Sequence, residues 1–177
     1  MDSELYKFLI STTEYSEKIN KNDFFIKTGQ PNRKIGIVKN GLFRAYVIDE
    51  NGDEVNIFFY KENDLVSGNF VPDLPAPTNI QAIEDSEIVY SDFSKVLQTI
   101  NNNNTLRTKF YEKVDLFHSK IQLRLTSFIN LNSYERYKSF LDEYPNLINR
   151  IPNYYIASYL GITPTQLSRI KKTYVQK

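Results

Sequence analysis

The chain has 177 residues, with 22 basic and 21 acidic side chains, one histidine, no cysteine and no tryptophan. That length suits one medium domain or two small ones, and zero cysteine excludes disulfides, thiolate zinc sites and cysteine-ligated iron–sulfur clusters. No apolar run approaches ~18 residues and the opening MDSELYKF lacks the basic-then-apolar order of a signal peptide, so a cytoplasmic protein is expected. The charge is unevenly spread. Residues 145–177 hold five basic side chains (Arg150, Arg169, Lys171, Lys172, Lys177) and no acidic one, against 17 basic and 21 acidic in the rest. A positive end on a mildly negative body suits phosphate-backbone binding by one part of the chain.

Residues 4–20 form a candidate amphipathic helix, with Leu5, Phe8, Leu9 and Tyr15 on or near one face. From Phe24 the period changes. Residues 24–27, 35–39, 42–48 and 55–60 are short β-rich runs, punctuated by Thr28-Gly29-Gln30-Pro31, Asn40-Gly41 and Asn51-Gly52. Asn-Gly between two such runs predicts that 42–48 and 54–60 pair antiparallel. A proline-rich loop, 72–77, precedes a further run over 79–84 and 87–93. Short strands at this spacing predict an antiparallel barrel or roll.

The asparagine run 101–104 ends the β region. From 105 to 131 there is no glycine or proline, and ~27 helical residues would span about 40 Å. Phe110, Val114, Phe117, Ile121, Phe128 and Leu131 follow the 3–4 spacing of a coiled-coil seam, interrupted by Arg107 and Arg124. A second stripe, Leu116 and Leu123, is placed to rest on the roll. A helix apolar on more than one side calls for two partners, its own domain and a symmetry mate. Residues 133–144 read as another helix, ended by Pro145.

The stretch IASYLGITPTQLSRIKK, 156–172, reads as two short helices around a tight turn. Ile156, Leu160, Leu167 and Ile170 are apolar at helical spacing and Ile162 closes the gap. Gly161 falls where a positive φ ends the first helix; Thr163, Pro164 and Gln166 then supply an N-cap, a first-turn proline and a T-x-x-Q capping box. This is the pattern of a helix-turn-helix. The plain alternative is a helix pair that only packs. Against it stands the outer face, Thr165, Gln166, Arg169 and Lys172, where Arg169 has the reach to read guanine in a major groove.

Catalysis finds little support. A metal-holding β-roll wants two or three histidines with a carboxylate, and the chain has only His118, on the long helix. No nucleophile triad can be assembled around it. The cluster Asp49, Glu50 and Asp53 sits at a hairpin turn, an ordinary place for solvated acids. No enzyme activity, cofactor or metal site is expected.

With these residues in view, the chain resembles the Crp/Fnr superfamily of transcription regulators over nearly all its length. KNGLFRAYVIDENGDEVNIFFYKENDLV resembles that family's fourth to sixth strands. The helix 105–131 sits where the family places its dimerisation helix. ERYKSFLDEYPNLINRIPNYYIASYLGITPTQLSRIKK resembles one branch whose members mostly have no assigned effector. The resemblance implies an α+β chain: an N-terminal antiparallel β-roll (cupin-like jelly roll) over 1–104, a dimerisation helix over 105–131, and a helix-turn-helix domain over 132–177. It implies a homodimer bound to double-stranded DNA at a palindromic operator, with dimer contacts at Phe110, Val114, Phe117, Ile121 and Phe128. The other reading is a ligand-binding or protein-interaction module without DNA binding.

Carried over by position, the resemblance makes Thr163 a cap against a phosphate, Arg169 the base reader and Lys172 a backbone contact. Many relatives have an acidic residue where Thr165 stands, so a different preferred site is expected. Gln166 is left between a phosphate contact and its own helix cap. The chain ends soon after the recognition helix, so the C-terminal part of the family's wing is expected to be absent or very short. The effector pocket implied by the family falls at Ser67, Gly68, Asn69 and Thr78. Cyclic-nucleotide binders use Gly-Glu-Leu followed by an arginine; here Gly68-Asn69-Phe70 is followed by VPDLPAPTNIQA, without arginine or lysine. A phosphodiester removed from water needs a paired cation or a cluster of donors. Cyclic AMP binding is therefore not expected. Another small-molecule effector and a merely rigid surface loop both remain open.

Overall fold

The computed structural model describes residues 3–175, so Met1, Asp2 and the last two residues, with the Lys177 charge, lie outside the described residues. The chain divides into two compact units, Met1–Val47 with Ile57–Leu116, and Ile48–Asn56 with Phe117–Lys177. Its elements are an α+β set of eight strands and six helices among the described residues.

In the first unit, α1 (Ser3–Ser11) is followed by β1 (Tyr15–Ile19), not by the continuous 4–20 helix that the spacing predicts. Thr12 and Thr13 turn their hydroxyls back onto the carbonyls of Phe8 and Leu9, at 3.0 and 3.1 Å, and the helix stops there. The chain then joins a ladder: Tyr15, Glu17 and Ile19 pair antiparallel with Tyr90, Ile88 and Ser86 of β8 (Ser86–Asp92). This long-range pairing overrides a weak local preference for helix.

The remaining strands are β2 (Phe24–Ile26), β3 (Lys34–Asn40), β4 (Phe43–Ile48), β5 (Glu54–Tyr60), β6 (Leu65–Ser67) and β7 (Asn79–Ala82). They form two four-stranded sheets with orders β1-β8-β3-β6 and β2-β7-β4-β5. The β4–β5 hairpin turns as its Asn-Gly pair predicts, with the Asp49 N–H donating to the Asp53 carbonyl at 3.0 Å. Phe25 bridges the sheets, its ring centroid 6.5 Å from Phe43 and 5.6 Å from Tyr90. Val38, Phe43, Val66, Ile80 and Ile88 are wholly buried, each large side chain contributing about 1.5–3 kcal/mol.

A second cluster covers β3. It joins Leu5 and Leu9 of α1, Ile35 and Ile37, Phe93, Val96 and Ile100 of α2 (Phe93–Asn101), and Phe110. The sequence reading missed α2. Its signal was present: Asp92 accepts the Lys95 N–H at 3.0 Å as an N-cap, and Phe93, Val96 and Ile100 keep helical spacing.

The long helix, α3 (Asn104–Asn130), matches its predicted span to within a residue at either end. Its inward stripe runs through Leu106, Phe110, Val114, Phe117, Ile121, Arg124 and Ser127, all buried or half-buried. Phe110, expected at the dimer seam, is 1 % exposed and packs against Phe93 in the core of the first unit. Val114 packs on the same cluster, and Phe117 and Ile121 lie half-buried on the same stripe. Exposed apolar side chains lie on two flanks of that stripe, Leu116 and Leu123 on one and Tyr111, Leu125 and Ile129 on the other, from 50 % to 77 % exposed. Leu116 and Leu123, expected to rest on the roll, are both exposed.

In the second unit, the end of α3, the hairpin tip, α4 (Ser133–Glu143), α5 (Asn153–Leu160) and α6 (Pro164–Val175) enclose an aromatic core. Phe140 lies 5.2 Å from Tyr144 and 5.5 Å from Tyr159, ring to ring, with Leu147, Ile151, Ile156 and Leu167 buried around them. Asn132 caps α4 in a complete capping box with Glu135.

Candidate functional site

The turn between α5 and α6 is built as the sequence predicts. Gly161 adopts φ +64, the Ile162 N–H donates to the Ala157 carbonyl at 3.0 Å and the Gly161 N–H to Ser158 at 3.2 Å. Those two bonds make a Schellman motif. The two carbonyls it leaves over are taken by arginines: Arg124 donates to Tyr159 at 2.9 Å and Arg136 to Leu160 at 3.1 Å. Every orphan acceptor of the last turn is thus satisfied.

At the start of α6, the Gln166 N–H donates to Thr163 Oγ1 at 3.2 Å, and the Thr163 N–H donates to Gln166 Oε1 at 2.9 Å. The capping box is therefore closed, and the carboxamide oxygen of Gln166 faces its own helix. Leu167 is buried beneath, while Thr165, Gln166, Arg169 and Lys172 are exposed. Thr165, Arg169 and Lys172 follow one another at i, i+4 and i+7, one strip of helix surface. Lys171 is drawn aside to Asn153 Oδ1, and burial lowers its pKa below the ordinary lysine value.

Arg124, which interrupts the apolar spacing of α3, is held within the second unit. Its guanidinium lies 4.0 Å over the Tyr159 ring and one nitrogen reaches the Asn56 carbonyl at 2.6 Å as well as that of Tyr159. Burial lowers its pKa, with the Tyr159, Tyr144 and Glu143 side chains opposing the shift. The Tyr159 hydroxyl donates to Glu143 at 2.8 Å; burial, then the nearby carboxylate, pushes that phenol far up. Phe128, expected at the dimer seam, turns its ring toward Gly161 between the guanidinium groups of Arg124 and Arg136, at 5.6 and 5.1 Å. It remains 42 % exposed.

In the first unit the residues Ser67, Gly68 and Asn69 come together around Asn32, a buried side chain that sequence reasoning did not single out. Asn32 Nδ2 donates to Ser67 Oγ at 2.8 Å and to the Asn69 carbonyl at 2.7 Å, while its Oδ1 accepts the Gly68 N–H at 3.2 Å. The loop 73–76 is stitched to 29–32: Ala76 N–H to Gln30, Gly29 N–H to Ala76, Asn32 N–H to Leu74 and Asp73 N–H to Asn32, all at 2.9–3.0 Å. A Cβ on Gly68 would lie 2.9 Å from the Ala76 Cβ and 3.0 Å from Ile26. The N–H groups of Gly29, Asn32, Gly68, Asp73 and Ala76 are thus committed to partners within these loops. Thr78 stands half-buried at the entry to β7, apart from the Asn32 cluster, and Asp73 pairs with Arg33 at 3.1 Å on the surface.

The chain thus combines a two-sheet β-roll, a long helix and a capped helix-turn-helix. Residues 16–103 match the family model of the cyclic nucleotide-binding domain. The chain is 27 % identical over 171 residues to the anaerobic regulatory protein of Pasteurella multocida, covering 89 % of this chain and 62 % of that one. It thus spans about three fifths of that curated relative's length. FixK2 from Bradyrhizobium japonicum has the same fold, with a TM-score of 0.82 at 16 % identity over 92 % of this chain and 84 % of that one. A Crp/Fnr-family regulator from Eubacterium rectale aligns at a TM-score of 0.72 and 15 % identity, over 98 % and 83 %. The chain is therefore similar in sequence to anaerobic regulatory proteins and in fold to a Crp/Fnr-family regulator. Among the described residues no helix is long and apolar enough to cross a membrane.

Proposed function

We propose that this chain is a DNA-binding transcription regulator that reads a palindromic operator as a homodimer in the cytoplasm, and is not an enzyme. The observation that carries the reading is the α6 surface. A capped helix behind a Gly161 turn holds Thr165, Arg169 and Lys172 on one exposed strip, inside a C-terminal segment whose only charges are positive. Thr165 and Arg169 read base edges and Lys172 meets a phosphate. Thr163 and Gln166 act through the cap, which fixes the start of α6. The regulators named among its relatives support the same class.

The residues divide by role into a roll over 1–104, an arm over 105–131 and a reading part over 132–177. The dimer seam is the exposed flank of α3 that carries Tyr111, Leu125 and Ile129, because the inward stripe is already covered. The roll takes no cyclic nucleotide, since Asn32 and the 29–32 stitching occupy the donors such a ligand needs. An effector of other chemistry is left open.

The test is binding of the whole chain to random duplex DNA across a salt series, followed by selection of bound sequences. Binding that weakens steeply with salt and enriches an inverted repeat is the expected result. No salt-dependent binding to any duplex would overturn the reading in favour of an interaction module.

A further inference from the structure

Four residues of the second unit meet where no known role places them. Ser158, on α5, donates its hydroxyl to the Glu54 carbonyl at 2.7 Å and accepts the Asn56 N–H at 3.0 Å. Glu54 and Asn56 belong to β5, the last strand of its sheet. One donor and one acceptor, two residues apart, are what a neighbouring strand would offer this edge. Ser158 therefore stands in for a strand. Asn56 is fully buried, and its Nδ2 adds a 3.4 Å contact to the Tyr155 carbonyl. From the other side Arg124 donates through one nitrogen to Asn56 and Tyr159 together.

We infer that Ser158 and Arg124 are positioning residues, a clamp that fixes the angle of α5 on the second half of α3 and so makes the protein strict about the spacing of its operator half-sites. The inference rests on the DNA-binding reading. Each bond is directed at a backbone atom, and three separate elements, α3, the hairpin tip and α5, converge on one guanidinium. A hydrophobic contact tolerates sliding; a nitrogen shared between two carbonyls does not, because its geometry fails if either one rotates away. The Gly161 turn and buried Leu167 couple α6 to α5. Fixing α5 against the arm thus fixes where each recognition helix lies relative to its mate, and a palindrome demands helices about 34 Å apart.

The clamp is tested with the full chain and duplexes carrying the selected operator, the same operator with one base pair inserted or deleted between half-sites, and a single half-site. Ser158→Ala is expected to bind the half-site as wild type does, to lose about tenfold on the correctly spaced operator, and to discriminate less between the three spacings. Ser158→Thr, which keeps the hydroxyl, should restore strictness. Arg124→Lys, a point charge unable to span both carbonyls, should behave like Ser158→Ala, and it supplies a second variant should one fail to fold. Wild-type spacing discrimination in both Ser158→Ala and Arg124→Lys would overturn the clamp, as would tighter operator binding, which would make the contact inhibitory. Those results leave half-site binding intact and the DNA reading standing. Failure of the wild type on every duplex would remove both.

Discussion

Phe128 closes against Gly161 so tightly that a Cβ on the glycine would lie 2.8 Å from its Cε1. Two effects therefore oppose any side chain at 161: the left-handed backbone, φ +64, and the ring beneath it. Gly161→Ala should destabilise by about 1–2 kcal/mol from backbone conformation alone, lowering the melting temperature by roughly 2–8 °C. Adding Phe128→Ala should relieve only the steric part. A double-mutant cycle by thermal melting reads the coupling; strict additivity would show that the ring does not press on the glycine.

Arg169 and Lys172 lie on the same strip but are assigned different tasks. Arg169→Ala should cost about 1–3 kcal/mol on the best operator and flatten base preference at one position. Lys172→Ala should weaken every sequence alike and reduce the salt slope by about one. Fluorescence anisotropy over a salt series separates the two. Equal operator affinity of Arg169→Ala and wild type would remove Arg169 from the reading surface.

The Asn32 cluster predicts indifference to cyclic nucleotides. A ligand at 100 times its dissociation constant adds ~2.7 kcal/mol to stability, readily seen in a melting assay. Cyclic AMP and cyclic GMP at millimolar concentration should give no saturable shift. Asn32→Ala should cost about 1–3 kcal/mol, since the Gly68 N–H and the Asn69 carbonyl lose their buried partner. A shift with cyclic AMP that linear AMP does not produce would refute this reading of the Asn32 cluster.

The two faces of α3 predict opposite outcomes for the same kind of substitution. Leu125→Glu with Ile129→Glu should leave melting nearly unchanged while sedimentation shifts from dimer to monomer. Phe110→Ala should lower the melting temperature, at about 3–5 kcal/mol for an aromatic removed from a core, without changing the association state. A Leu125→Glu, Ile129→Glu protein that stays dimeric at micromolar concentration would place the seam elsewhere.

The outcome at α3 shows what was legible and what was not. Its length, its start and its apolar richness follow from spacing and from the lack of glycine and proline. Which face meets the protomer's own core does not, because Phe110 and Leu125 are equally apolar in sequence and only the rest of the chain distinguishes them. The 4–20 stretch failed for a related reason: Tyr15–Ile19 has no partner until β8 arrives some seventy residues later. The turn at Gly161 and the Thr163–Gln166 cap were readable because their chemistry is local, each residue acting within five positions of its neighbours. Asn32 and Ser158 lay beyond reach, since an asparagine in a loop and a serine in a helix say nothing until their distant carbonyls and amides are in place.

The stitched loop around Asn32 has a consequence for the protein's turnover. A sensor whose pocket is completed by its ligand is partly unfolded when that ligand is scarce, so proteases set its abundance by the metabolite's concentration. Here the carboxamide of Asn32 and the 29–32 backbone supply the missing contacts from within. A roll completed in this way should keep the same half-life in the cell whether a cyclic nucleotide is abundant or scarce.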